Sequence, residues 1–426
     1  MRWMSKLDKK RAKYTTRSGL IAALDIGSSK IACLIARPFD DGTLEVIGVG
    51  HQVSKGMRSG NIVDMGALEI GVSATIETAE QIAHENVRDV VICTAGGAPE
   101  SKLISFDVAI AGHEIGDGDL RRALDPTWLY ARQSDDRRIV HTLPVGFSIN
   151  GTPGVRDPRR MYGEKLGVNM HVITQAASAV RNLESCAARC QLDIEGHVVA
   201  PYAAGLACLV EDEKNLGCIC IDMGGGTTSI AVFTEGEVVY TSVIPLGGNH
   251  VTNDIARGLS TPVSHAERMK TLYGGCFVTG SDSHETIKVP LIGEDDGAEN
   301  QIPRSTLVEI IQPRIDEIFE MVKDKIDGSG LDKGVGRRVV LTGGASQLSG
   351  VRRRAADILE RPVRRGNPPP MKGLPEAATG PAFSAAVGLL QYALADRQQT
   401  SFTSLYSKEM PSSRFGRIGQ WLRDNI

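Results

Sequence analysis

Two stretches, ALDIGSSKIA and CIDMGGGTTSIA, each end an apolar strand in an aspartate, follow it with small residues, and resume as a strand. A tight hairpin requires only one or two special residues, yet the second turn uses three glycines and two threonines. Such turns aim backbone N–H groups at an anion, and glycine removes the Cβ that blocks close approach. Gly224, Gly225 and Gly226 supply this on one side, and Gly27, Ser28 and Ser29 on the other. Thr227, Thr228 and the two serines add hydroxyl donors, and Lys30 adds a positive charge. Asp25 and Asp222 sit at the strand ends, placed to hold the water shell of Mg²⁺, which keeps several waters when bound. The chemistry is recognition of a triphosphate from two sides, without a Walker loop. A third stretch, RRVVLTGGASQLSGV, reads as strand, turn and helix start, and Gly343, Gly344, Ala345 and Ser346 can pass under a flat base and ribose. In AERMK, Glu267 and Lys270 share a helix face at i,i+3, where they either hydrogen-bond ribose hydroxyls or form a surface ion pair.

The elements that must hold these motifs occur twice. Each aspartate turn is followed by a second turn and a third strand, FDDG then LEVIGVG in one half and TEGE then VVYTSVIPLGG in the other. Each half also has a proline-led, alanine-rich helix, APYAAGLACLV and GPAFSAAVGLLQYAL, whose small residues allow a close helix crossing. The pattern predicts an α/β chain of two like lobes, each a mixed sheet with helices, facing across a hinge. The first lobe spans 20–102 and 173–205, with a helix over 64–86, a strand over 89–95 and a helix over 174–190 that Thr174 can cap. Residues 103–172 read as an α+β insert with a helix opened by Asp117 or Asp119. The second lobe spans 206–249 and 336–396, with a mostly helical insert over 250–335. A basic arm (1–19), a polar linker (397–413) and a terminal helix (414–426) complete the chain.

At 426 residues the chain is long enough for two cores. A net charge of −3 argues against general nucleic-acid binding. The eight cysteines include no CxxC pair and read as buried thiols of a reducing compartment rather than a metal site. No apolar run reaches the ~20 residues needed to span a bilayer. The N-terminal arm has no apolar core of the secretory type.

Together these segments resemble the ATPase domain shared by actin, the seventy-kilodalton heat-shock chaperones and sugar kinases, a duplicated ribonuclease H-like fold. LDIGSSK matches its first phosphate motif, IDMGGGTTS its second and VVLTGGASQL its adenosine motif, while APYAAGLA and GPAFSAAVGLL match its connecting helices. Among its branches the chain is most similar to the bacterial cell-division FtsA family, which has an insert in the first lobe and a C-terminal membrane helix. That resemblance implies bound ATP and Mg²⁺, filament formation by self-association, and recruitment of later division proteins. It also implies docking of the acidic C-terminal peptide of FtsZ on the helical insert, at RSTLVEIIQPRIDEIFEMV, where Arg304 and Arg314 could pair with it.

The tail reads independently of any resemblance. On a helix, Phe415, Ile418, Trp421, Leu422 and Ile426 cover an arc of about 140°, with Arg417 and Arg423 opposite. Such a segment is an interfacial membrane anchor, or else a helix docked on the protein itself. Gly416 and Gly419 favour a segment that folds only on the bilayer, and arrayed copies gain avidity. The implied location is the cytoplasmic face of the inner membrane at the division site. A small-molecule kinase on the same fold is the alternative, but it needs a further cleft aspartate as general base. A chaperone ATPase needs a peptide-clamping domain, and only 397–426 follow the second connecting helix. At the start of the first connecting helix, Val199-Ala200-Pro201-Tyr202 offers no carboxylate or amide to polarise water, which predicts slow turnover at most.

Overall fold

The computed structural model describes residues 19–125, 134–280, 282–293, 299–331 and 336–407. The proposed membrane face, Phe415 to Ile426, and nearly all of the basic arm lie outside the described residues.

Three antiparallel strands open the first lobe, β1 (Ile21–Ile26), β2 (Lys30–Pro38) and β3 (Leu44–Val53). A small hairpin follows, β4 (Met57–Arg58) with β5 (Asn61–Ile62), then α1 (Met65–Ala83) and β6 (Asp89–Thr94). Asp64 caps α1 by accepting from Ala67 N at 3.0 Å, and His84 ends it in the left-handed region. The insert contains β7 (Glu100–Ala109), α2 (Asp117–Ala123), β8 (Arg137–Ile149), β9 (Thr152–Val155) and β10 (Lys165–Ala176). The chain returns through α3 (Ala177–Arg189) and β11 (Asp193–Val199) and crosses in α4 (Ala200–Cys208). The helix expected over 174–190 therefore starts three residues late. Thr174 does not cap it but lies in β10 opposite Glu100 and Ile139, because this strand is paired on both edges as far as Thr174 and on one edge to Ala176.

The second lobe comprises α5 (Glu211–Leu216), β12 (Cys218–Met223), β13 (Thr228–Thr234) and β14 (Glu237–Ile244). Then come α6 (Gly248–Gly258), α7 (Val263–Tyr273), the hairpin β15 (Thr286–Pro290) and β16 (Glu299–Pro303), and α8 (Arg304–Gly328). β17 (Arg338–Thr342), α9 (Val351–Leu359), β18 (Val363–Arg365) and α10 (Ser384–Ser407) close the described chain. α10 continues helically past Asp396, through residues whose polarity suggested a linker.

Duplication is explicit in the sheets. One has the order β3-β2-β1-β6-β11 and the other β14-β13-β12-β17-β18, each an antiparallel meander extended by two parallel strands. Strands buried on both faces explain the near-continuous apolar runs IAALDI and CICIDM. One apolar core joins the inner faces of both sheets to α4 and α10, and a second and third lie under the outer helices of each lobe. α4 and α10 cross closely, since a Cβ on Gly388 would lie 1.8 Å from Ala203 O. Among the described residues no helix is long and apolar enough to cross a membrane.

The insert, a sheet β7-β10-β8-β9 with its own core, also touches the second lobe. His171 on β10 is fully buried, and its Nδ1 lies 2.8 Å from Val238 O. A carbonyl only accepts, so Nδ1 carries the proton and Nε2 accepts from Ser101 Oγ at 2.6 Å. Ser101 in turn accepts from Thr241 N at 3.1 Å. Burial pushes His171 down to about 4, so the imidazole is neutral at neutral pH.

Candidate nucleotide site

Each aspartate turn closes by the same bond, Gly27 N to Lys30 O at 3.0 Å and Gly224 N to Thr227 O at 2.9 Å. The two turns face each other across the lobes, and their tips touch. A Cβ on Gly225 would lie 1.7 Å from Ser29 Oγ, and one on Gly226 would lie 2.3 Å from Ser28 Oγ. Glycine is thus required here by the opposing hairpin as well as by any incoming anion. Ser29 Oγ donates to Asn249 Oδ1 at 2.9 Å, and Ser28 Oγ accepts from Gly60 N at 2.9 Å. Thr227 is buried beside the Ser59–Gly60 turn, while Thr228 is fully buried and donates to Leu246 O at 2.9 Å, which makes it a structural hydroxyl.

Asp25 and Asp222 lie at the floor, each half-buried. Burial raises Asp25 to about 6, opposed by the charge of Lys30 and a hydrogen bond from Cys93. Asp222 is raised to about 7, by burial first and then by the like charge of Asp25. Burial lowers Lys30 to about 8 against the pull of both carboxylates. Its Nζ donates to Ala382 O at 2.6 Å and sits 3.1 Å from the Phe383 ring centroid. Lys30 therefore reaches the segment leading into α10, and its charge acts on the floor from there. Two carboxylates that resist ionisation together form a site that a divalent cation would relieve, so the residues present fit Mg²⁺.

The third motif closes the back of the floor. Gly343 has φ +87°, and a Cβ there would lie 2.3 Å from Asp222 Oδ1. Gly344 and Ala345 follow in a 3-10 turn, Gly344–Gln347. Ser346 is buried and donates to Gly343 O at 2.7 Å, so its hydroxyl shapes the turn rather than the cleft. Glu267 and Lys270 form an ion pair at 2.7 Å, and Lys270 also donates to Gly248 O at 3.1 Å and Thr252 Oγ1 at 2.8 Å. A Cβ on Gly248 would lie 3.1 Å from Ala345 Cβ and 3.5 Å from Lys270 Nζ. The pair thus stands at the same end of the cleft as the third motif, and of the two readings of AERMK the structure shows the ion pair.

Several site residues carry no signal in the motifs. Gly248 and Asn249, opening α6, donate backbone N–H groups to Gly224 O and Gly225 O at 3.0 and 2.8 Å. Ser59, in the left-handed region at φ +46°, touches the second hairpin from the first lobe, and its Oγ lies 3.5 Å from His250 Nε2. The sequence LGGNH before a helix pattern was the legible clue to the first group.

Over 423 residues the chain is 43% identical to the cell division protein FtsA of Rhizobium meliloti, covering 96% of each chain. The chain belongs to the FtsA family. FtsA of Agrobacterium fabrum is 44% identical over 428 residues, with 96% of each covered, and FtsA of Escherichia coli K12 is 32% identical over 387, with 89% of this chain and 91% of that one covered. The family model for cell division protein FtsA matches residues 219–388, and the model for the SHS2 domain inserted in FtsA matches 96–174. The fold is that of the actin-like proteins. A structure of the PilM–PilN type IV pilus biogenesis complex superposes with TM-score 0.62 at 17% identity, covering 88% of this chain and 98% of that one. MreB5 of Spiroplasma citri bound to AMPPNP superposes with TM-score 0.53 at 13% identity, covering 90% and 99%.

In this FtsA fold the two arginines expected to meet a partner peptide are already paired. Arg304 donates to Asp282 Oδ1 at 2.7 Å and to Tyr273 O at 2.8 Å. Arg314 donates to Asp254 Oδ2 at 2.6 Å and also pairs with Glu317. Asp282 has no exposed surface, so Arg304 braces the loop before β15 and is not a free anchor.

Proposed function

We propose that this member of the FtsA family is an ATP-regulated, actin-like filament subunit that tethers the FtsZ scaffold to the cytoplasmic face of the inner membrane and recruits later division proteins. The observation that carries the reading is the meeting of two glycine hairpins, one from each lobe, above Asp25 and Asp222. A triphosphate inserted between the tips parts the Ser29–Asn249 contact and takes its own hydrogen bonds from the freed backbone N–H groups. Asp25 and Asp222 would hold the water shell of Mg²⁺, which neutralises phosphate charge when bound. The AMPPNP in the MreB5 structure supports nucleotide as the ligand class.

The FtsZ peptide seats on the helical insert of the second lobe. There Val263, Leu272, Val278 and Ile292 are exposed, an apolar complement to an acidic-apolar peptide. The anchor is the amphipathic segment 414–426, which binds lipid marginally as one copy and firmly when arrayed along a filament.

Liposome co-sedimentation with Mg-ATP, comparing the full chain with one ending at Ser413, tests this function. The full chain is expected to pellet with anionic vesicles and the shortened chain to stay in the supernatant. Equal pelleting of both would remove the membrane tether from the account.

A further inference from the structure

The β4–β5 hairpin turns on two residues, Ser59 and Gly60, between the paired Arg58 and Asn61. Both have positive φ, +46° and +79°, as a type I′ turn requires, and asparagine or glycine is the usual first residue of such a turn. A serine there accepts backbone strain and sets a hydroxyl at the tip. The turn lies across the meeting point of the two glycine hairpins. Gly60 N donates to Ser28 Oγ at 2.9 Å, and a Cβ on Gly226 would lie 3.1 Å from Ser59 N. From the second lobe, the first turn of α6 presents three residues in succession. Gly248 faces Ala345 of the third motif, Asn249 meets Ser29 of the first hairpin, and His250 meets Ser59. A ligand with its base by the third motif therefore extends its phosphate chain toward Ser59 and His250.

His250 is fixed as a donor at that end. Gly247 N donates to its Nδ1 at 3.1 Å, so the proton of the neutral ring is on Nε2. That N–H finds Ser59 Oγ only at 3.5 Å, beyond the usual N–H···O range. Both side chains are half-buried. Burial first, then the charge of Arg314, lowers His250 from its ordinary value; the Gly247 bond and Asp254 oppose this, and Arg58 adds to it. The ring is thus a neutral, weakly partnered donor within reach of positive charge from both lobes, which suits an anionic acceptor.

We infer that Ser59 and His250 recognise the terminal phosphate of a nucleoside triphosphate and so distinguish ATP from ADP in this cleft. The inference rests on nucleotide being the ligand of the cleft. A terminal phosphate oxygen takes the Nε2–H of His250 and the hydroxyl of Ser59 in place of their long mutual contact, whereas a diphosphate leaves that contact as it is. Hydrogen bonds to an anion are roughly twice as strong as neutral ones, so the exchange favours the triphosphate. Because the two residues belong to opposite lobes, only the triphosphate draws both onto one group.

Calorimetric titration of the full chain with Mg-ATP and, separately, with Mg-ADP tests this. The wild-type chain should bind ATP at least about tenfold more tightly than ADP, the equivalent of one charge-assisted bond. His250→Phe should lose about tenfold in ATP affinity and keep its ADP affinity, which also shows that it is folded. His250→Gln, whose amide N–H can take the place of Nε2–H, should retain most of the discrimination. Ser59→Gly, which suits the turn, should lower the ATP preference in the same direction as His250→Phe. Equal binding of ATP and ADP by the wild-type chain overturns the inference. So does an equal loss of both nucleotides, or of neither, in a folded His250→Phe chain. A wild-type chain that binds neither nucleotide overturns the nucleotide reading of the cleft and this inference with it. The wild-type comparison needs no substitution, so a variant that fails to fold does not spare the proposal.

Discussion

Ser29 and Asn249 join across the cleft, hydroxyl to amide oxygen at 2.9 Å, tying the first hairpin to the opening turn of α6 in the opposite lobe. The bond is exposed, so it is worth on the order of 0.5–1.5 kcal/mol, small enough for a ligand to exchange. It marks the point at which lobe closure and phosphate binding compete for the same groups.

A double-mutant cycle with Ser29→Ala and Asn249→Ala reads that competition. Chemical denaturation without nucleotide should give a coupling of about 0.5–1 kcal/mol. With saturating Mg-ATP the coupling should fall to near zero, because the phosphates replace the contact. An unchanged coupling would mean that the hairpins do not part around the ligand.

The floor aspartates give a pH signature of known sign. Their folded values, about 6 and about 7, lie above the ordinary 3.8, so between these values the folded chain binds more protons than the unfolded one. Their contribution to stability therefore falls as pH rises through this window. Asp222→Asn should stabilise the nucleotide-free chain at about pH 8 by on the order of 1–3 kcal/mol, while weakening Mg-ATP binding. Thermal unfolding from about pH 5 to about pH 8 checks the first effect, and a magnesium titration the second.

The insert seam has the opposite sign. His171 and His197 are held at about 4 and His141 at about 3, each chiefly by burial and all below the ordinary 6.5. The unfolded chain binds more protons in that window, so the stability they contribute is lost as pH falls from about 6.5 toward 4. Limited proteolysis should cut the 96–174 insert faster at about pH 4.5 than at neutral pH. His171→Ala removes the imidazole donor to Val238 O and the acceptor of the Ser101 hydroxyl, leaving Ser101 only its bond from Thr241 N, and should cost about 1–3 kcal/mol at neutral pH and flatten the acid dependence.

Hydrolysis should be slow. Val199, Ala200 and Pro201 are buried at the start of α4, and Tyr202 faces the rings of His141 and Tyr392. None offers a carboxylate or amide to orient water. A phosphate-release assay is expected to show turnover below about one per second, and faster release would require a catalytic group elsewhere.

The legible parts of the fold were those written in local pattern. Strands buried on both faces, each broken by Asp and glycine, announced both hairpins and the duplication, and the sheets repeat one order. Contacts between distant segments were not legible. Arg304 and Arg314 look like solvated helix charges until Asp282 and Asp254 arrive from other elements. Ser59 carries no motif, and its place at the cleft depends on the small β4–β5 hairpin folding back onto Ser28. The extension of α10 past Asp396 was hidden because residues without apolar periodicity read as linker.

Gly225 gives the most direct test of the two-hairpin clamp, because its φ is ordinary and a side chain there fails on space alone. Calorimetric titration with Mg-ATP should show binding to the wild-type chain and a loss of about 100-fold, about 2.7 kcal/mol, in Gly225→Val. The variant's circular dichroism should be unchanged. Undiminished affinity in a folded Gly225→Val chain would contradict the account, since nucleotide would then be held somewhere other than between the two turns.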